Sequence, residues 1–84
     1  MKTTPVTKED LLRSVIAVPP MARHVDFTLN KDANRALIKY LESGGVRSLM
    51  YGGNANFYNL PLSEYAATLD FLAESAGAGT WTTP

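Results

Sequence analysis

A short apolar run, residues 46–51 (Val-Arg-Ser-Leu-Met-Tyr), stops at Gly52 and Gly53, crosses a polar loop and meets a helical pattern at Pro61. The stretch before it has the same layout. Residues 14–18 (Ser-Val-Ile-Ala-Val) end at Pro19 and Pro20, and a loop over residues 21–30 leads into an amphipathic segment. Strand, turn and helix, given twice, is the pattern of consecutive β-α units, whose crossovers make the strands parallel. That repetition points to the α/β class.

Local signals place the elements. Thr7 stands three residues before Asp10, the spacing of a capping box, so one short helical turn is expected ahead of Leu11 and Leu12. Residues 14–18 carry no polar alternation and read as a strand buried on both faces. Asn30 is suited to cap a helix over residues 31–43, with Ala33, Ala36, Leu37, Tyr40 and Leu41 as its apolar stripe. Lys31, Asp32, Arg35, Lys39 and Glu42 then face elsewhere. Gly44 and Gly45 stop that helix, because glycine takes the left-handed conformation cheaply. Pro61 fits the first turn of a further helix. Its buried face reads as Leu62, Tyr65, Ala66, Leu69, Leu72 and Ala73, and its wet face as Ser63, Glu64, Asp70 and Glu74. Residues 80–83 (Thr-Trp-Thr-Thr) have strand propensity, and residues 1–6 read as a frayed terminus.

Length and composition narrow the function classes. Eighty-four residues make one small domain or a piece of a larger one. A two-stranded parallel sheet with a third strand beginning leaves apolar faces open, so the pattern is that of a partial domain or of a chain that needs partner surface. Cysteine is absent, which removes disulfides, thiolate metal sites and a cysteine nucleophile, and fits a reducing compartment. Eight basic and eight acidic residues balance to zero, so nucleic-acid binding has no electrostatic support. Apolar runs fall far short of the ~20 residues that span a bilayer, and no secretory signal follows Met1, so no membrane role is expected and a cytoplasmic protein is the default.

The pieces Ala17-Val18-Pro19-Pro20-Met21, Val25-Asp26, Leu41-Glu42-Ser43-Gly44-Gly45-Val46, Tyr51-Gly52-Gly53-Asn54-Ala55-Asn56-Phe57-Tyr58-Asn59-Leu60 and Ser63-Glu64 follow one another in a telling order. That order and spacing resemble the N-terminal third of the dihydrodipicolinate synthase / N-acetylneuraminate lyase family. Its members are TIM (β/α)8 barrels that form a Schiff base between a lysine and pyruvate or a related 2-keto acid. A barrel takes about 250 residues, so the resemblance implies the first two β-α units and the start of the third strand. It also implies a class I lyase, aldolase or synthase as a full-length protein, working without a cofactor and as a homotetramer. The family's Schiff-base lysine lies on a later strand and has no counterpart here.

The departures fall in the glycine-rich loop. Where the family has two threonines, this chain has Gly53 and Asn54; Ala55 replaces the second glycine and Asn56 the glutamate. The family's loop binds the keto-acid carboxylate through hydroxyls and backbone N–H groups, and one threonine joins a proton relay. Gly53 has no side chain for such a relay. Backbone donors before a helix can still hold a carboxylate.

The resemblance therefore makes Gly52, Gly53, Asn54 and Ala55 the candidate substrate-binding residues. Arg23, Asn56 and Tyr58 are further candidates, each set against a plainer role. Arg23 can pair with a carboxylate or be a solvated loop residue. Asn54 and Asn56 can bind ligand or simply tolerate turn geometry. Phe57 and Tyr58 can line a pocket, meet a neighbouring subunit or pack on the loop. His24 is the only histidine, without a second ligand at a useful spacing, so no metal site is expected. Lys8 and Lys39 do not resemble a desolvated Schiff-base amine. Tyr40 and Tyr65 read as core, and Trp81 as core or interface. A non-catalytic small-molecule-binding or scaffold domain with a degenerate loop is the rival reading.

Overall fold

Two of the helices start where a side chain closes the first turn, and the third starts at a proline. Thr7 caps α1 (Lys8–Arg13): its Oγ1 accepts from Asp10 N at 3.3 Å, while Asp10 Oδ2 accepts from Thr7 N at 2.8 Å. Asn30 caps α2 (Lys31–Ser43) by accepting from Ala33 N at 3.0 Å. α3 (Leu62–Ser75) follows Pro61, whose missing N–H loses nothing at a helix start. Between them lie β1 (Ile16–Ala17) and β2 (Ser48–Met50), with β3 (Trp81–Thr83) closing the order. The structure is a computed structural model that describes residues 1–83; the side chain of Tyr58 and all of Pro84 lie outside the described residues. Among these elements no helix is long and apolar enough to cross a membrane.

The strands form one parallel sheet in the order β1-β2-β3, as the repeated pattern requires. Register partners lie side by side, so Ile16, Ser48 and Trp81 share one face, and Ala17, Leu49 and Thr82 the other. α2 and α3 pack against each other, and Leu49 and Tyr51 meet them. The core gathers Met21, Ile38, Leu49, Tyr51, Ala55, Phe57, Phe71 and Leu72. Arg35 lays its guanidinium 5.2 Å above the Phe71 ring, joining the two helices at their edge.

Several expectations are corrected. Residues 14–18 are not buried on both faces: only Ile16 and Ala17 are strand, Val15 is 73% exposed, and Ile16 and Val18 are nearly half exposed. The strand lies at the sheet edge, with no layer on its second face. The N-terminal residues are docked rather than frayed. Lys2 N donates to Thr80 O at 2.6 Å, and the Met1 ammonium donates to the Ala73 and Ala76 carbonyls at 3.1 and 2.7 Å. Cations at a helix C-terminus meet unpaired carbonyls and the negative end of its dipole.

Both helix stripes are rotated in part: Leu72 is buried and Ala33, Leu37, Leu41, Tyr65, Leu69 and Ala73 are half-buried, as expected, but the centres of the faces lie elsewhere. In α2 the buried residues are Asn34 and Ile38, while Tyr40 is 76% exposed and Ala36 is open to solvent. In α3 they are Thr68, Phe71 and Leu72, while Leu62 and Ala66 are exposed. The polar residue Asn34 is inside because its amide substitutes for water around the loop after β1. It accepts from Ala22 N at 2.8 Å and donates to Ala22 O and Asn30 O at 2.9 and 2.8 Å. Glu42, off the apolar stripe as read from the sequence, accepts from Gly77 N at 2.8 Å and from Thr80 Oγ1, tying α2 to the turn before β3.

The rotated stripe has a direct consequence for stability. Ile38→Ala should destabilise the chain by about 2–5 kcal/mol, the range for emptying a closed core position. Tyr40→Ser should change it by less than about 0.5 kcal/mol. Urea unfolding followed by circular dichroism measures both; equal losses at the two positions would contradict the observed face.

Candidate functional site

β2 delivers its last residues to the carboxyl end of the sheet, where Tyr51 is buried and Gly52 begins a folded loop. Two nested turns shape that loop. Asn56 N donates to Gly53 O at 3.0 Å and Phe57 N to Gly52 O at 3.2 Å. The left-handed residue is Asn56, at φ 60°, not a glycine; Gly52 has open space where a Cβ would stand. Asparagine tolerates that conformation because its short amide bonds locally. Here Asn56 Oδ1 accepts from Asn59 Nδ2 at 2.6 Å. A single 3-10 turn (Phe57–Asn59) then leads to Pro61 and α3.

The amides of Gly53, Asn54 and Ala55 find no acceptor among the described residues. Successive free N–H groups in a turn form a concavity of positive potential that suits a carboxylate. Ala55 supplies its amide while its methyl is held in the core at 1% exposure. Asn54 is engaged structurally: its Nδ2 donates to Val18 O at 3.0 Å, which joins the loops that follow β1 and β2.

Gly52 and Gly53 edge a hollow of about 300 Å³ that also touches Val18, Met50, Tyr51, Phe57 and Tyr65. Tyr51 and Phe57 are stacked at 6.1 Å and 27°, and Tyr65 meets Phe57 edge-on at 5.9 Å. Tyr65 is thus half in the core, as its spacing implied, and half in the wall. The Tyr51 hydroxyl is buried without a hydrogen-bond partner among the described residues. Burial pushes its ionisation up from 10.0 to about 12.

Arg23 and Asn56 belong to a second hollow of about 410 Å³, together with Asp26, Phe27, Asn59 and Glu64. It is the larger of the two, but its lining includes none of the strand ends. Arg23 Nη1 donates to Phe27 O at 3.3 Å, in a tight turn that holds Phe27 at φ 69°. The sequence candidates therefore divide: Gly52 and Gly53 line one hollow, Arg23 and Asn56 another, and Asn54 braces the loops. The Tyr58 side chain lies outside the described residues. His24 is exposed, and Lys8 and Lys39 lie on exposed helix positions, away from both hollows. Sequence reasoning missed Tyr51, read only as the end of a strand. An aromatic phenol placed directly before two glycines was the available signal.

Comparison with family models, with curated proteins and with solved structures found no match.

The buried phenol makes an alkaline prediction. Neutral Tyr51 is favoured in the fold, so the folded chain holds its proton where the unfolded chain has lost it. The sign is then fixed: stability is full below pH 10 and falls as pH rises through about 12. Tyr51→Phe should remove that alkaline loss in thermal melts taken from pH 8 to 12, and an unchanged profile would refute the assignment.

Proposed function

We propose that this chain supplies the first two β-α units and the third strand of a TIM (β/α)8 barrel in a Schiff-base-forming lyase, aldolase or synthase. Its substrate is pyruvate or a related 2-keto acid. The observation that carries the reading is the trio of free amides at Gly53, Asn54 and Ala55, set at the carboxyl end of the central strand. In α/β barrels the chemistry collects at that end, on the loops after the strands. The sequential parallel order β1-β2-β3 supports the same reading, because barrel neighbours follow one another in sequence. So does the open sheet face carrying Ile16, Val18 and Met50, which a closed barrel would turn inward.

In the whole enzyme a lysine amine attacks the keto carbon and water leaves, giving an imine that withdraws electrons from the neighbouring bond. The loop at residues 52–55 holds the carboxylate while this happens. The lysine comes from outside residues 1–83, and the assembly works as a homotetramer in the cytoplasm, as the family resemblance implies. A non-catalytic binding or scaffold domain is the second reading. It is favoured by one observation: positions 53–56 carry no hydroxyl, and the Asn54 amide is already spent on Val18 O.

Borohydride trapping separates the two. A protein carrying this segment with the remaining barrel strands should be reduced onto one lysine in the presence of pyruvate or a longer 2-keto acid. Peptide mapping should place the adduct beyond residue 83. No adduct with any keto acid would leave the binding-domain reading.

A further inference from the structure

Residues 22–30, between β1 and α2, form a small braced hairpin. Arg23 and Leu29 bridge as antiparallel partners, His24 N donates to Thr28 O at 2.8 Å, and Asn30 N to Ala22 O at 3.1 Å. Phe27 N closes the tip on His24 O at 2.9 Å. Asn34 pins both arms at the base, through Ala22 and Asn30. Asp26 Oδ1 braces the tip by accepting from Thr28 N at 3.1 Å and from Thr28 Oγ1 at 2.6 Å. A three-residue hairpin loop ordinarily puts glycine at its left-handed position, and here that position is Phe27, at φ 69°. A bulky side chain is strained there. The ring finds little cover inside the fold: Phe27 is 80% exposed and Val25, also on the tip, 99%.

Beside this ring lies the larger hollow. Phe27 borders that space of about 410 Å³ together with Leu60 and Pro61, and Leu62, next after Pro61, is 90% exposed. Its polar lining includes Arg23 and Glu64. Among the described residues Arg23 meets no carboxylate within salt-bridge distance, and Glu64 meets no cation. Asp26, in the same lining, is already engaged by Thr28. One patch thus carries an aromatic knob, a hollow, an unpaired cation and an unpaired anion. Contact with a foreign protein needs only half of such a set, because the partner supplies the complement. A twofold contact between identical chains needs both halves on the same patch. The formal net charge of zero sets no long-range repulsion against a second copy.

We infer that this patch is a twofold docking surface for a second copy of the chain. Phe27 of each copy enters the other's hollow against Leu60 and Pro61, and Arg23 of each pairs with the partner's Glu64. The braced hairpin presents the ring already fixed, so little freedom is lost when it docks. An aromatic anchor ringed by charged groups is the arrangement in which a few residues carry most of the binding energy. The backbone strain at Phe27 is then part of the contact's design. The inference stands apart from the keto-acid reading, since it uses neither Gly52, Gly53, Asn54 and Ala55 nor the hollow beside them.

The test is sedimentation velocity of the 84-residue chain from about 1 µM to about 1 mM, the span of a small interface. The average mass should rise from that of a monomer toward that of a dimer. Phe27→Gly should weaken the dimer at least about tenfold, the loss of one aromatic anchor. At a dilution where both proteins are monomers, the same variant should melt at an equal or higher temperature, because glycine takes the left-handed conformation without strain. A lower melting temperature would assign the ring to the fold and overturn its docking role. Arg23→Glu and Glu64→Arg should each weaken the dimer about five- to tenfold, and the double reversal should restore most of the loss. A monomer throughout the span overturns the inference. Association that Phe27→Gly leaves unchanged, as stacking of open sheet faces through Ile16, Val18 and Met50 would be, overturns the patch. A double reversal no tighter than the single variants overturns the twofold pairing of Arg23 with Glu64.

Discussion

Among the described residues β2 is the one strand hydrogen-bonded along both edges, and the other elements are arranged around that pairing. Its Leu49 is completely buried and its continuation, Tyr51, nearly so, against Ile38 from α2 and Phe71 and Leu72 from α3. Burying one such side chain fully is worth about 1.5–3 kcal/mol, a large share for a chain of this size. The same strand sets where the glycine loop begins. Any shift of its register by one residue would exchange Leu49 for Ser48 in the core and turn Tyr51 away from the loop's aromatic wall.

Polar side chains do the long-range fastening that disulfides cannot do here. Asn34 closes the loop after β1 onto α2 through three hydrogen bonds. Glu42 joins the end of α2 to the turn before β3, and Asn54 joins the loops after β1 and β2. Gly77 is part of the Glu42 clamp, since a Cβ there would come within 2.7 Å of the carboxylate. Each fastening is short-sided and directional, so each selects one arrangement of elements that apolar contact alone leaves open.

The sheet is covered on one face and half open on the other. Ile16, Val18 and Met50 are each about two-fifths exposed, on the face opposite the helices. On that same face the buried Ser48 hydroxyl and the Trp81 indole N–H lie on register partners and lack hydrogen-bond partners among the described residues. That face therefore combines partly exposed apolar rows with two buried polar groups that lack partners among the described residues. The hollow beside Gly52 and Gly53 takes Val18 and Met50 from this face as part of its lining.

The order of elements was legible in the chain because it depends on local chemistry. Thr7 with Asp10, Asn30, Gly44 with Gly45, and Pro61 each act within a few residues, and each marked its boundary. Parallel pairing followed from the repeat of strand and helix. The inward faces of the helices were not legible, because they depend on how α2 and α3 cross the sheet and each other. Hydropathy favoured Tyr40 and Leu62, whereas packing buried Ile38, Phe71 and the polar Asn34, whose amide is needed by a loop twelve residues away. The site divides in the same way. Glycines and asparagines announced a loop after β2, but only the tertiary structure left three of its amides free and set the Tyr51, Phe57 and Tyr65 rings around one hollow. Caps and turns are decided by neighbours in sequence; walls and orphaned groups are decided by residues that meet only when the chain has closed.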